Sequence, residues 1–160
     1  MQNGRYMRKR ILFVTAAAFA AVSVGMFVFI GSSTAAGKQI VGVWVVTFPD
    51  APFKYHMVTF HQDGTMEQAN PDAGDAHTSD SDGMGVWEMR GGKIVGKFVE
   101  ITADRTTRQF AAKGEISFTL DLEGSRFSGT AVGRFYDIDE KMSAGPITTA
   151  MNGTKVELSK

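Results

Sequence analysis

Apolar and polar residues alternate along most of the chain between positions 42 and 158. The clearest run has an apolar or small residue at every second position, and its members are Phe110, Ala112, Gly114, Ile116, Phe118, Leu120 and Leu122. A period of two is typical of a strand with one buried face and one solvent-exposed face, whereas a helix has a period of 3.6. The pattern therefore predicts an all-β chain.

Turn-forming pairs divide residues 37–160 into eight predicted strands. Asp63-Gly64, Gly91-Gly92 and Glu123-Gly124 separate successive runs, and glycine in such pairs permits the positive φ angles of tight turns. The predicted strands span residues 41–48, 54–61, 65–69, 84–90, 93–103, 108–122, 126–137 and 147–158. A single sheet with one apolar face must close on itself or find a second sheet. We predict a single eight-stranded antiparallel up-and-down barrel, preceded by an N-terminal hydrophobic helix.

The first 36 residues differ from the rest of the chain. Four basic residues precede an uncharged apolar run at positions 11–30, and small residues follow it up to Ala36. This order is typical of a secretory signal peptide, with cleavage after Ala36. A run of this length also suits an uncleaved membrane anchor. Residues 1–36 are thus a signal peptide or an anchor. The protein is then secreted or periplasmic, or membrane-anchored with its barrel outside the cytoplasm.

The remaining segment, residues 37–160, is the right length for one domain, and its composition excludes several kinds of chemistry. The chain has no cysteine, so no disulfide or thiolate chemistry is available to it. All 17 acidic residues but only 13 of the 17 basic residues lie after Ala36, and the basic residues form no cluster. This balance excludes a nucleic-acid partner, which requires a basic surface. The oligomeric state does not follow from the sequence.

Aromatic side chains on the predicted inward faces are the candidate ligand-binding residues: Trp44, Phe60, Trp87, Phe98, Phe118 and Phe135. Trp44 either seals one end of the barrel or lines its interior, and the same alternatives apply to Trp87. Between Phe127 and Phe135, the inward positions hold only glycine and alanine. This trough is either filled by bulky residues from across the barrel or open as a cavity for an apolar ligand.

The sequence contains no complete catalytic motif, only individual candidate residues. His56 and Glu100 share the inward parity and together could transfer protons inside a cavity, but each lies near a strand end, where a position in water is also natural. Residues 70–83 are predicted to form a long acidic loop, either a flap over the barrel opening or a solvated connection. Within it, residues 80–83 (DSDG) match only part of a calcium-binding loop. We predict no metal site and no organic cofactor; the catalytic residues are unknown.

Several short segments, taken in order, resemble a group of small bacterial lipocalin-like barrels of the calycin type. They are GVW at 42–44, FHQDGT at 60–65, GVWE at 85–88, FSGT at 127–130, FYD at 135–137 and NGTKV at 152–156. The group is related to the allene oxide cyclase-like barrels, which include spirotetronate and spirotetramate cyclases. The resemblance implies a lipocalin-like β-barrel domain over 37–160. It also implies that catalysis by confinement, without a nucleophile or metal, is compatible with the sequence.

Three functional hypotheses follow. The first is an exported barrel that binds a small hydrophobic molecule in its interior. The second is a cyclase or isomerase that acts by confining its substrate in the same cavity. The third is a non-catalytic envelope protein with a solid interior that interacts with a partner through its acidic loop. An open apolar cavity would favour the first two hypotheses, and a filled interior would favour the third.

Overall fold

The computed structural model of the protein describes residues 35–51, 53–70 and 76–159. They contain one short helix, α1 (Ala35–Ile40), and nine strands. The strands are β1 (Gly42–Thr47), β2 (Tyr55–Phe60), β3 (Thr65–Ala69), β4 (Thr78–Asp80), β5 (Gly83–Arg90), β6 (Lys93–Asp104), β7 (Phe110–Glu123), β8 (Arg126–Tyr136) and β9 (Met142–Lys155). The predicted hydrophobic helix within the leader lies outside the described residues. Among the described residues, no helix combines the length and apolar composition of a membrane span.

Eight of these strands form a closed antiparallel barrel. Each pairs with its sequence neighbours, except that β3 pairs with β5, and β9 returns to pair with β1 from Trp44↔Lys155 to Thr47↔Asn152. Because β1 and β9 are hydrogen-bonded to each other, the barrel leaves no long free edge in the part of the chain that the structure describes. The predictions of an all-β fold and of a closed eight-stranded antiparallel barrel are confirmed.

The ninth strand corrects one prediction. Residues 70–83 were expected to form one long loop, but Thr78–Asp80 is strand β4, which pairs with the end of β6 through Thr78↔Asp104 and Asp80↔Thr102. β5 covers the first half of β6, and β4 continues beside its second half. All three residues of β4 are polar, so no apolar alternation marked the strand. Residues 71–75 of the predicted loop lie outside the described residues.

Strand β9 begins earlier than predicted. It starts at Met142 instead of position 147, so the predicted 138–146 connection is largely strand. The pairing with β8 shifts register between Gly133 and Phe135, opposite Gly145 and the cis-bonded Pro146. Proline cannot donate to the ladder, but a bulge leaves room for it. Because the bulge interrupts the regular alternation, the sequence pattern did not predict the first part of β9.

Tight turns connect the strands as the glycine pairs predict. Gly91 and Gly92, between β5 and β6, have φ angles of 60° and 80°, and Gly124, between β7 and β8, has a φ of 60°. These angles are in the left-handed region, where a Cβ is unfavourable. The short turns impose the register that sends alternate side chains into the barrel.

One end of the barrel is densely packed. Trp44 is fully buried, and its Nε1 donates to the carbonyl of Ile40 in α1 at 2.7 Å. The Trp44 ring contacts that of Phe127 with centroids 5.0 Å apart, and Nζ of Lys155 lies 5.6 Å from the Trp44 centroid. Phe60 packs edge-on against Phe127 in the same cluster. We call this the sealed end.

Candidate functional site

A cavity of about 530 Å³ occupies the other end of the barrel. It lies where β1, β3, β6 and β8 end and where β2, β7 and β9 begin. The described residues that line it are Phe48, Asp50, Ala51, Phe53, His56, Gln68, Asn70, Thr78, Asp80, Phe98, Glu100, Thr102, Ala112, Ile116, Ala131, Gly133, Phe135, Ser143, Ala144, Ile147 and Thr149. Asp50, Ser143 and Ile147 are exposed, so this side of the cavity opens to solvent. Its volume is within the range of small-molecule sites.

Small residues of β8 keep the cavity open. Ala131 and Gly133 line it, and a methyl group added at Gly133 would come no closer than 3.5 Å to the neighbouring Phe135 ring. At Gly129, by contrast, a methyl group would lie 2.1 Å from the carbonyl oxygen of Thr119. The predicted trough is therefore closed by neighbouring backbone near Gly129 and open beside Gly133.

His56 is held in the lining of the cavity by two hydrogen bonds. It is 9% exposed; its Nε2 donates to the carbonyl of Phe53 at 3.0 Å, and its Nδ1 lies 2.8 Å from Nε2 of Gln68. Burial lowers the pKa of His56, and the bond to Phe53 opposes this only in part. The neutral ring donates at Nε2, so its Nδ1 must accept from the amide nitrogen of Gln68. Both ring nitrogens are then engaged.

Gln68 carries a buried acceptor without a partner. The side chain is 2% exposed, and its Oε1 has no hydrogen-bond partner in the described part of the protein. The orientation of the amide follows from His56, which takes the –NH₂ group. Buried polar atoms are nearly always hydrogen-bonded, so this carbonyl oxygen is an exception in the wall of the cavity.

Glu100 projects from β6 over a glycine of β7. It pairs in register with Gly114, where an added methyl group would lie 3.0 Å from Oε1 of Glu100 and 3.1 Å from the Phe135 ring. Burial raises the pKa of Glu100 to about 7, and the negative charge of Asp80 adds to the increase. Asp80 itself accepts a 2.7 Å hydrogen bond from Oγ1 of Thr102. The site thus contains a carboxyl group that gains or loses its proton near neutral pH.

The structure separates the six predicted ligand-binding residues into two groups. Phe98 and Phe135 line the cavity. The other four lie outside its lining, and they are Trp44, Phe60, Trp87 and Phe118. Three of these are buried in the core, whereas Trp87 is half-buried beside Phe60 and donates from Nε1 to the carbonyl of His61 at 3.0 Å. The six residues are not brought together around one space.

Several residues that line the cavity were not among those predicted from the sequence. Gln68 shares the inward parity of Met66, two positions before it, so its location could have been found from the alternation. The location of Asp80 could not have been found in this way, because Asp80 belongs to the short strand β4, which carries no apolar pattern. Phe48 continues the inward parity of Trp44 and Val46 and could have been found from it, whereas Phe53 lies in the connection between β1 and β2, where parity gives no guidance.

A second concavity, of about 410 Å³, lies on the outside of the sheet. Outward-facing side chains of β1, β8 and β9 line it, among them Val45, Ser128 and Thr154. None of the described residues that line it is a buried polar residue like Gln68, so we place the candidate site inside the barrel. In the described ranges, no three histidine or acidic side chains are grouped closely enough to hold a metal ion.

No protein-family model, no curated protein and no solved structure matches the chain. The barrel is compatible with a lipocalin-like architecture. The function of the protein must therefore be inferred from the geometry and chemistry of the cavity itself.

Proposed function

We propose that the protein binds a small, predominantly apolar molecule in the cavity at the open end of its barrel. The observation that carries the proposal is a space of about 530 Å³ walled by aromatic and aliphatic side chains, including Phe98, Ile116 and Phe135. Burial of an apolar ligand in such a space contributes roughly 25 cal/mol for each Å² of apolar surface removed from water. The hypothesis of a solid barrel that serves only as an interaction protein receives no support from this interior.

The cellular location and the family relationship of the protein are part of the same proposal. Export through the N-terminal segment would place the barrel outside the cytoplasm. Its fold does not depend on a disulfide there, because the chain has no cysteine. A lipocalin-like or allene oxide cyclase-like relation is supported by the closed eight-stranded architecture and by the short motifs in the sequence. In both groups the barrel interior is the functional space, which is the space proposed here.

A second candidate function is an isomerase or cyclase acting in the same cavity. Glu100 favours it, because a carboxyl group with a pKa of about 7 can both accept and donate a proton near neutral pH. The inward parity of His56 predicts that it transfers protons together with Glu100. It is less suited to this role than predicted, because both of its ring nitrogens are already hydrogen-bonded. Product formation distinguishes the enzyme from the binding protein. Unchanged turnover in Glu100→Gln would remove Glu100 from the reaction.

Filling the cavity tests the binding proposal. Ala112 lines the cavity, whereas Ala111, its neighbour in β7, is exposed and absent from the lining. We expect Ala112→Phe to weaken the binding of Nile red, an uncharged apolar dye, by at least about tenfold, because the new ring occupies the ligand's space. Fluorescence titration measures the dissociation constant, and circular dichroism verifies the β fold.

The matched control is Ala111→Phe, which adds the same ring at an exposed position of the same strand. This variant should bind the dye as the wild type does. It also accounts for dye bound elsewhere on the chain, including the apolar segment at 11–30. Equal dye binding by folded Ala112→Phe and Ala111→Phe would contradict the proposed site.

A further inference from the structure

Several polar side chains that line the cavity already have hydrogen-bond partners within the protein. Asp50 accepts a 3.0 Å hydrogen bond from Oγ1 of Thr149, and Asp80 accepts one of 2.7 Å from Oγ1 of Thr102. Both ring nitrogens of His56 are also hydrogen-bonded. These three side chains are therefore held by the protein whether or not a ligand is present.

Glu100 differs from these side chains. No hydrogen bond or ion pair links its carboxyl group to another residue in the described part of the chain. The residue is half-buried and lines the cavity, and its carboxyl oxygens, unlike Oε1 of Gln68, keep accessible surface. A molecule in the cavity can therefore reach this carboxyl group and supply the hydrogen bond that the protein does not.

The neighbours of Glu100 on the side of the sealed end are apolar. Phe98 lies two positions before it on the inward face of β6, and Ile116 lies two positions beyond Gly114, the partner of Glu100 in β7. An added methyl group at Gly114 would lie 3.0 Å from Oε1 of Glu100 and 3.1 Å from the Phe135 ring, so the glycine leaves room for both side chains. The carboxyl group of Glu100 thus lies at the edge of an apolar wall.

The lining offers no counter-charge to an anionic head group. No lysine or arginine is among the described residues that line the cavity. Lys113, which precedes Gly114 in β7, belongs to the opposite face of the strand and pairs with Glu115 at 3.6 Å. An anionic ligand would therefore leave water without gaining a cationic partner, which is unfavourable.

A hydroxyl group matches Glu100 better than a charged group does. Burial and the negative charge of Asp80 raise the pKa of Glu100 to about 7, so both forms of its carboxyl group are populated at neutral pH. A hydroxyl group donates a hydrogen bond to either form, and it also accepts one from the protonated form. An ammonium group gains a charge partner only in the ionised form, and it loses more hydration on entering the cavity.

We propose that the ligand is an uncharged apolar molecule with a hydroxyl group, which donates a hydrogen bond to the carboxyl group of Glu100. This inference rests on the proposed binding function and names the ligand class for the same cavity. The apolar body of the ligand then extends towards the sealed end, beside Phe98 and Ile116. An analogue without the hydroxyl group would cover the carboxyl group and leave it without a partner, so it binds less well.

The test compares naphthalenemethanol with ethylnaphthalene, in which a methyl group replaces the hydroxyl group. Competition with Nile red at neutral pH gives both affinities for the protein expressed from the full chain. The ratio of the two affinities is the readout, because the greater hydrophobicity of ethylnaphthalene is common to all variants. We expect Glu100→Met to shift this ratio about fivefold against the alcohol, since one hydrogen bond is lost. Glu100→Gln should keep most of the preference, because its amide still accepts and donates.

Glu67→Met is the matched control, since it makes the same substitution at an exposed position of β3. It should leave the ratio as it is in the wild type, and circular dichroism verifies the fold of each variant. Naphthalenemethylamine and naphthoate extend the test to charged head groups. Both should bind the wild type less tightly than the alcohol, and this comparison does not depend on the folding of a variant.

Three results would overturn the hydroxyl inference while the binding function stands. They are an unchanged ratio in folded Glu100→Met, tighter binding of the amine or naphthoate than of the alcohol, and failure of the alcohol to displace Nile red from the cavity. If Nile red does not bind in the cavity either, the proposed binding function is wrong as well.

Discussion

Glu100 is the residue whose surroundings most alter its chemistry. Its carboxyl group lies inside the barrel over Gly114, and burial together with Asp80 raises its pKa from 4.5 to about 7. In the unfolded chain the group ionises at the lower value, so folding keeps a proton on it across this interval. The contribution of Glu100 to stability is therefore fully present below about pH 4.5 and is lost as the pH rises through about 7.

We expect Glu100→Gln to be more stable than the wild type at pH 8 and similar to it at pH 4.5. The amide cannot ionise, so the variant avoids a cost of about 3 kcal/mol that the wild type incurs on charging this carboxyl. Urea unfolding of both proteins at several pH values measures the difference, with Glu67→Gln as the exposed-carboxylate control. A difference that does not change between pH 4.5 and pH 8 would show that Glu100 is solvated.

Strand β8 shows how one element can both seal and open the barrel. Gly129 and Gly133 point to the same face, yet Gly129 lies against the backbone of β7, whereas Gly133 borders the cavity. Alternation places both glycines on the inward face but does not give the free space beside each. That space depends on how closely the neighbouring strands approach, which is a property of the assembled sheet.

Alanine substitution should distinguish the two glycines. Gly129→Ala would bring a methyl group to 2.1 Å from the carbonyl oxygen of Thr119, and we expect it to lower the free energy of unfolding by about 1 to 3 kcal/mol. Gly133→Ala meets only ordinary contacts and reduces unfolded-state entropy, so stability should be unchanged or higher by up to about 1 kcal/mol. Chemical denaturation measures both; equal destabilisation would contradict the structure of β8.

For the protein as a whole, the sequence predicts the barrel better than it predicts the site. Strand positions follow from local alternation and turn glycines, and the eight predicted strands recur with shifted ends. Parity alone cannot give depth along the barrel axis. It therefore selected Trp44 and Phe60 together with Phe98, although the first two pack in the core outside the cavity lining. Asp80 was hidden for another reason, because its strand forms only through the long-range pairing with β6.

We propose that the open end of the barrel holds a small molecule. Native mass spectrometry of the protein, purified under mild conditions from its own cells, can detect that molecule. We predict an excess mass corresponding to one small molecule, which is lost on denaturation and absent from Ala112→Phe but retained by Ala111→Phe. A wild-type protein that carries no excess mass and takes up no apolar dye would show that the barrel does not bind such a molecule.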